Sequence, residues 1–333
     1  MDYQFPFGEY LHPLIQKDQT PKKAFVLGVY ASAVHARWIR DSKVICQALA
    51  VASEPEIFWD GDHDEAEEII SRIKIPEELG RLEVASDQLN GPSARALDDQ
   101  ILAPLSLSRK DAWLCDCLPE SRLNSSQIKA IHERYDPLIE RYGLNKVTLP
   151  KRPDLFCDEK RAQEITDELL RSEAELLILL GDIPISQYLN RVSDVLYDSL
   201  QSYVDLYGYG SVTETKIADR MIGILPVAHP RQIGALGSHS NKWHQMHLEW
   251  EKNQNRKELI AVLDLVHTTE MGAERIRKNL ELDKEDPVEY CRRMIMNKDS
   301  VISSRGKNWY VTNGDTEITI NRYSYTIITA HKI

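Results

Sequence analysis

No part of this chain is apolar for long. The longest such runs, for example AELLILLGDI at residues 174–183, fall well short of the roughly 20 residues that cross a bilayer. The N-terminus, MDYQFPFGEY, lacks a basic region followed by an apolar one, so no export leader is read there. The expectation is a cytoplasmic protein with no membrane partner. Cysteine is scarce: Cys46, Cys115, Cys117, Cys157 and Cys291 form an odd set of five with no CxxC pair. That argues against a disulfide framework and a zinc ribbon and leaves reduced, structural thiols. Cys115 and Cys117 stand two apart on a predicted strand and share its face, which alone does not make a metal site. No metal and no cofactor are expected.

An excess of positive charge is also missing. The formal net charge is -11, which argues against coating nucleic acid through bulk electrostatics but leaves room for a local basic groove. Of the 41 Lys and Arg, 14 lie in residues 252–333 beside 12 of the 52 Asp and Glu, so that region is slightly basic and residues 1–251 are strongly acidic. No internal repeat or low-complexity segment is present.

What is present suits an ordinary globular chain. With 333 residues, 42% apolar and 28% charged, it can bury a full core and form one large domain plus a small one. The division is read at HLEWEKNQNRKELI, residues 247–260, where 252–257 reads as a linker or the opening of a helix. The expected domains are 1–251 and 252–333. Before the division, short apolar runs at 23–30, 111–118, 174–181 and 221–229 alternate with helical patterns such as EKRAQEITDELLRSE at 159–173. That alternation predicts an α/β domain with a doubly wound parallel sheet and helices on both faces. After it come a helix over 257–280, a second over 286–297 and alternating strands with an NGD turn at 313–315, a small α+β unit with an antiparallel sheet.

In doubly wound sheets ligands gather at the carboxyl ends of the strands. Here those ends read GVYAS, DCLPESR, GDIPIS and AHPRQIG. The first belongs to VLGVYASAVH, residues 26–35, which reads as a buried strand running into a tight loop. In order, GVYAS, NGPSARALDDQIL (90–102), AWLCD, LLGD and the final HP resemble the uracil-DNA glycosylase superfamily over residues 20–250. The stretch SARALDDQILAPLSLSRKDAWLCD is similar to the branch in which a Ser and a Leu-Asp pair precede GLxRxDVYITN. That branch includes members with an iron-sulfur cluster, whose cysteine spacing is missing here.

The resemblance implies a DNA glycosylase that flips an altered base out of the helix and hydrolyses its N-glycosidic bond, with DNA as partner. Such chemistry needs negative charge stabilised on the departing base and positive charge on the sugar. It implies that His229 hydrogen-bonds a base carbonyl, that Pro230 stiffens the turn, that Arg231 meets a phosphate and that Ile233 is an apolar wedge filling the gap in the duplex. As a residue alone, His229 reads equally as a satisfied strand-end histidine. Ser32, Ser93 and loop amides supply further phosphate contacts, and Gly28, Val29, Tyr30, Ala31, Ser32 and His35 form the first wall of the pocket.

The departures from the family pattern are informative. Members place a carboxylate or Asn in the first loop, as in GQDPY, GEAPG or GINPG, where this chain has Val29 and Tyr30, neither a general base at neutral pH. The usual Pro is Ala31. The base-reading strand is expected to end in Asn, and Asp116 stands there instead. An ionised carboxylate only accepts hydrogen bonds, so it suits the exocyclic amine of a cytosine-type base and repels O4 of uracil. Base reading, water activation and a solvated strand-end acid all remain open for Asp116. The leading substrate is a modified cytosine in foreign, phage-type DNA, with uracil in repair as the alternative.

Residues 36–89 are unusually long for the family and include EIFWDGDHDEAEE. Asp60, Asp62, His63 and Asp64 read as a turn leading into an acidic helix N-terminus, since the glycine and distal glutamate of a calcium loop are not at their spacings. Trp59 or Phe58 is the candidate plate on which a flipped base stacks, a role Leu89 would fill poorly. Residues 258–333 resemble a short bacterial domain of unknown function. They are also weakly similar to small ribonuclease toxins, for which His267, Arg275, Arg305, Thr329 and His331 offer acid-base groups. The other readings of that unit are a half-buried sheet that binds nucleic acid, a protein partner or a second copy of the chain. A non-catalytic DNA or nucleotide-binding module is the alternative for the whole.

Overall fold

The computed structural model describes residues 2–234 and 241–333. The chain forms two compact units, Met1–Ala96 with Arg109–Trp243, and Leu97–Ser108 with His244–Ile333. Its strands are β1 (Ala24–Tyr30), β2 (Ala33–Arg40), β3 (Lys43–Ser53), β4 (Arg81–Val84), β5 (Ala112–Leu118), β6 (Leu176–Leu180), β7 (Thr213–Ile217), β8 (Arg220–Val227), β9 (Val301–Arg305), β10 (Asn308–Asn313), β11 (Thr316–Asn321) and β12 (Ile327–Lys332).

The first unit is built on a sheet of order β5-β1-β6-β8-β7, flanked by helices. Its four parallel strands are the four apolar runs read from the sequence. Phe25, Val26 and Leu27 in β1 and Leu177, Ile178 and Leu179 in β6 are fully buried, as expected of strands covered on both faces. The helix Glu159–Arg171 forms where predicted. Asp158 caps its first turn by accepting from the Arg161 amide, and Ala162, Ile165, Thr166 and Leu169 make its buried stripe.

Two expectations are corrected here. The sheet is mixed, because β7, with the sequence TETKI, pairs antiparallel to β8 at its edge. Residues 33–84 add a second, three-stranded antiparallel sheet of order β3-β2-β4. The opening stretch therefore runs from a strand through a tight link straight into another strand, which places His35 on β2 and not in the loop. Only Ala31 and Ser32 separate β1 from β2, which lie in different sheets. The second sheet has its own core, around Phe5, Trp38, Leu49, Val51, Trp59 and Tyr135.

The second unit carries a four-stranded sheet of order β12-β11-β10-β9, antiparallel throughout, with a core of Leu259, Ile276, Cys291, Ile295, Trp309 and Ile318 among others. Asn313 and Thr316 close the hairpin at the NGD turn, with Gly314 at φ +58°. The helix Pro287–Met296 forms where predicted, capped by Asp286. The single helix expected over 257–280 is two, because Asn241–Ala261 ends and Thr269 caps a new helix, Glu270–Leu280, by accepting from the Gly272 amide. Among the described residues, no helix is long and apolar enough to cross a membrane.

Candidate functional site

At the carboxyl ends of β1 and β5 in the first unit lies a cavity of about 310 Å³, within the range of small-ligand sites. Its wall includes Val29, Tyr30, Ser32, Trp59, Ser93, Asp116, His229 and Arg231, all read as candidates from the sequence. Phe58, Leu89 and Gly91 also line it, as do three residues the sequence reading missed, Glu54, Arg152 and Gln232.

Gly28 pairs with Asp116 across β1 and β5. A Cβ on Gly28 would lie 2.2 Å from Asp116 Oδ1 and 2.7 Å from Phe58 Cζ, so its bare backbone is what lets the carboxyl and the ring converge. Arg161 fixes the end of β5 from below. Its guanidinium donates to the backbone oxygens of Asp116 at 2.9 Å and Cys117 at 3.2 Å, and to Cys115 Sγ at 3.2 Å. The Asp116 carboxyl itself is only 5% exposed and accepts no hydrogen bond from the described residues. Burial pushes its pKa up to about 7, against the pull of Arg161. The premise that this acid is simply ionised is thereby corrected: near neutral pH it exists in both forms, and the neutral form can also donate.

Glu54, immediately after β3, is 4% exposed in the same cavity. Burial, and then the charge of Asp116, push its pKa up to about 8, while a hydrogen bond with the Ser32 side chain acts the other way. The second sheet thus brings a carboxyl to the place where the first loop lacks one.

His229 caps the short helix Pro230–Ile233. Its Nδ1 accepts from the Arg231 amide at 3.1 Å, so Nε2 carries the hydrogen of the neutral ring. Burial, with Arg231 and Arg152 nearby, lowers its pKa to about 4. The ring is therefore neutral at physiological pH, with a donor to spare. Gly181, the glycine of LLGD, gives it room: at φ +85° its Cβ would stand 3.2 Å from that of His229.

The loop carrying Phe58 and the loop that leads into Ser93 meet backbone to backbone. A Cβ on Gly91 would lie 1.8 Å from the Asp60 oxygen, and one on Gly61 would lie 2.4 Å from that of Asn90. Arg95 ties the two by donating to the oxygens of Asp60 and Asp87. Asp62 caps the helix His63–Ser71, so the acidic stretch is the helix N-terminus read from the sequence. Among the described residues, no group of three or more His, Cys, Asp or Glu is placed to hold a metal ion. At another edge Tyr30 stacks on Phe156, centroids 5.9 Å apart, and Arg152 lies 5.7 Å and 5.1 Å from the two rings. Neither Arg152 nor Arg231 has an ion-pair partner among the described residues.

Several candidates lie elsewhere. Ile233 is fully buried in the core, where it cannot act as an exposed wedge, and Pro230 and Ala31 are buried beneath the wall. His35 is a buried residue of β2 whose backbone is clasped by Asn90 at 2.9 Å and 3.0 Å and whose Nε2 meets Gln127 at 2.9 Å. Neither His35 nor Gly28 is part of the cavity lining. Trp59 touches the cavity but belongs to the second core, its indole N–H donating to Glu65 at 2.6 Å. Phe58 is the ring that reaches Gly28.

In the second unit His267 bridges to Thr326, before β12, whereas His331 pairs with Glu317 near the end of that strand. Five residues of extended chain separate the two, roughly 16 Å, which does not make an acid-base pair around one phosphate.

Residues 260–331 match a family described as a protein of unknown function, DUF3781, as the sequence led one to expect for this region. No curated protein matches the chain.

Proposed function

We propose that the first unit is a nucleic-acid base-excising hydrolase, similar in plan to the uracil-DNA glycosylase superfamily, acting on an altered pyrimidine of DNA. The observation that carries this reading is the convergence of Asp116, a neutral His229 with its donor free, and the Phe58 ring on one cavity at the carboxyl ends of parallel strands. Phe58 stacks the flipped base, Asp116 reads its edge, and His229 Nε2–H donates to the base carbonyl on which negative charge collects as the C1′–N bond breaks. Arg152 and Arg231 meet the flanking phosphates. Ionised Asp116 accepts from an exocyclic amine, which favours a cytosine-type base.

The test is release of free base, with abasic-site formation, from oligonucleotides carrying uracil, hydroxymethylcytosine or glycosylated cytosine. The expected result is release from at least one cytosine derivative, cut about 10²–10³-fold by His229→Ala. Binding without release by the wild type would instead support a nucleotide-binding module. That second reading is favoured by Val29 and Tyr30, which leave the first loop with no acid.

A further inference from the structure

We propose that Glu54 is a catalytic residue of this cavity, the carboxylate that takes the proton from the attacking water. The inference rests on the base-excision reading above and adds to it a residue from outside the strand-end loops that carry the resemblance.

Its placement is the first argument. Glu54 leaves the end of β3, in the antiparallel sheet, and enters the cavity that Asp116 and His229 line from the parallel sheet. The end of β1 supplies Val29 and Tyr30 to the wall but no acid, and Ser32, in the link that follows, meets Glu54 through its side chain. The link between β1 and β2 and the end of β3 thus bring a hydroxyl and a carboxyl to the same cavity.

The second argument is energetic. A carboxyl that is 4% exposed, with no ion-pair partner among the described residues, destabilises the fold. A Leu or Met would pack there without that penalty. The groups facing it are Asp116, Ser32, Arg109 and Glu56. Two of these are acids that oppose its ionisation, and Arg109, which favours it, pairs with Glu56 at 3.7 Å. Burial and Asp116 hold the Glu54 proton until about pH 8, which makes its conjugate base far stronger than an ordinary carboxylate.

The step balances with one water. The C1′–N bond breaks and its electron pair passes to the base, whose carbonyl oxygen accepts from His229 Nε2–H. The water oxygen bonds to C1′ while one of its protons moves to Glu54. The departing base takes up that proton, leaving Glu54 ionised, a 1′-hydroxyl sugar and a free base.

The experiment measures single-turnover base release from the oligonucleotides named above, at pH 6 to 9.5, for wild type, Glu54→Gln and Glu54→Asp, with DNA affinity measured alongside. Thermal melts of each variant check its fold. Glu54→Gln is expected to slow release about 10²–10⁴-fold while affinity changes by less than about threefold. The wild-type rate should rise with pH and level off above about 8. Glu54→Gln should lose the rise centred near 8 and keep only the rise near 7 that Asp116 sets, and Glu54→Asp should recover part of the rate. Release by Glu54→Gln within about threefold of wild type, or with the rise near 8 intact, overturns the assignment and leaves the base-excision reading standing. No release by wild type from any of the substrates overturns both.

Discussion

At the residue scale, the site depends on burying acids rather than displaying them. Asp116 retains its proton to about pH 7 when folded, whereas an unfolded Asp releases it near 4. A raised acid pKa stabilises the fold at low pH, and that stability is lost as pH rises through about 7. Asp116→Asn removes the titration, so its melting temperature should exceed that of wild type at pH 8 and approach it below pH 5; equal pH dependence of the two melting curves would contradict the burial argument. The same change should move base preference towards uracil, because an amide also donates. Asp116 and His229 were legible in the sequence because they stand at or just past the ends of apolar runs. Glu54 was not, since its strand lies in a region with no readable period. The signal available was the acid and proline that close the run ALAVASEP.

At the element scale, what could be read follows burial. β1 and β6 are apolar throughout, and β5 and β8 are so apart from Asp116 and Arg220, because helices and neighbouring strands cover most of their length. β7 is polar along one face, and its lone antiparallel pairing leaves no comparable run. β2 and β3 escape a simple alternating pattern because their register shifts between Val34 and His35 and twice more around Trp38. Local capping also outweighs periodicity, as Thr269 does in dividing the helix predicted over 257–280. In the second unit, Leu97–Ser108 is distant in sequence yet joined to the sheet through Arg322. The guanidinium donates to the Ala103 oxygen at 2.8 Å and to both oxygens of Glu258, at 3.0 Å and 2.8 Å, and lies 5.6 Å from the Trp309 ring. Arg322→Leu leaves Glu258 with the Ser106 hydroxyl as its remaining donor and should cost about 1.5–3 kcal/mol, read as a lower melting temperature for this unit. A loss under 0.5 kcal/mol would mean the charged contacts are merely superficial.

At the scale of the whole molecule, a net charge of -11 and a cavity edged by Arg152 and Arg231 fit the proposed reading only if nucleic acid is met locally, at the cavity, and not through bulk charge. On that reading few phosphates would be neutralised, and recognition would rest on the base that enters the cavity. The most direct test is a crystal structure of Glu54→Gln bound to an oligonucleotide carrying hydroxymethylcytosine or its glycosylated form. The account predicts the base rotated out of the duplex, stacked on Phe58, with its amine at Asp116 and its carbonyl at His229 Nε2. DNA bound with that base still stacked in the helix and the cavity vacant would contradict it.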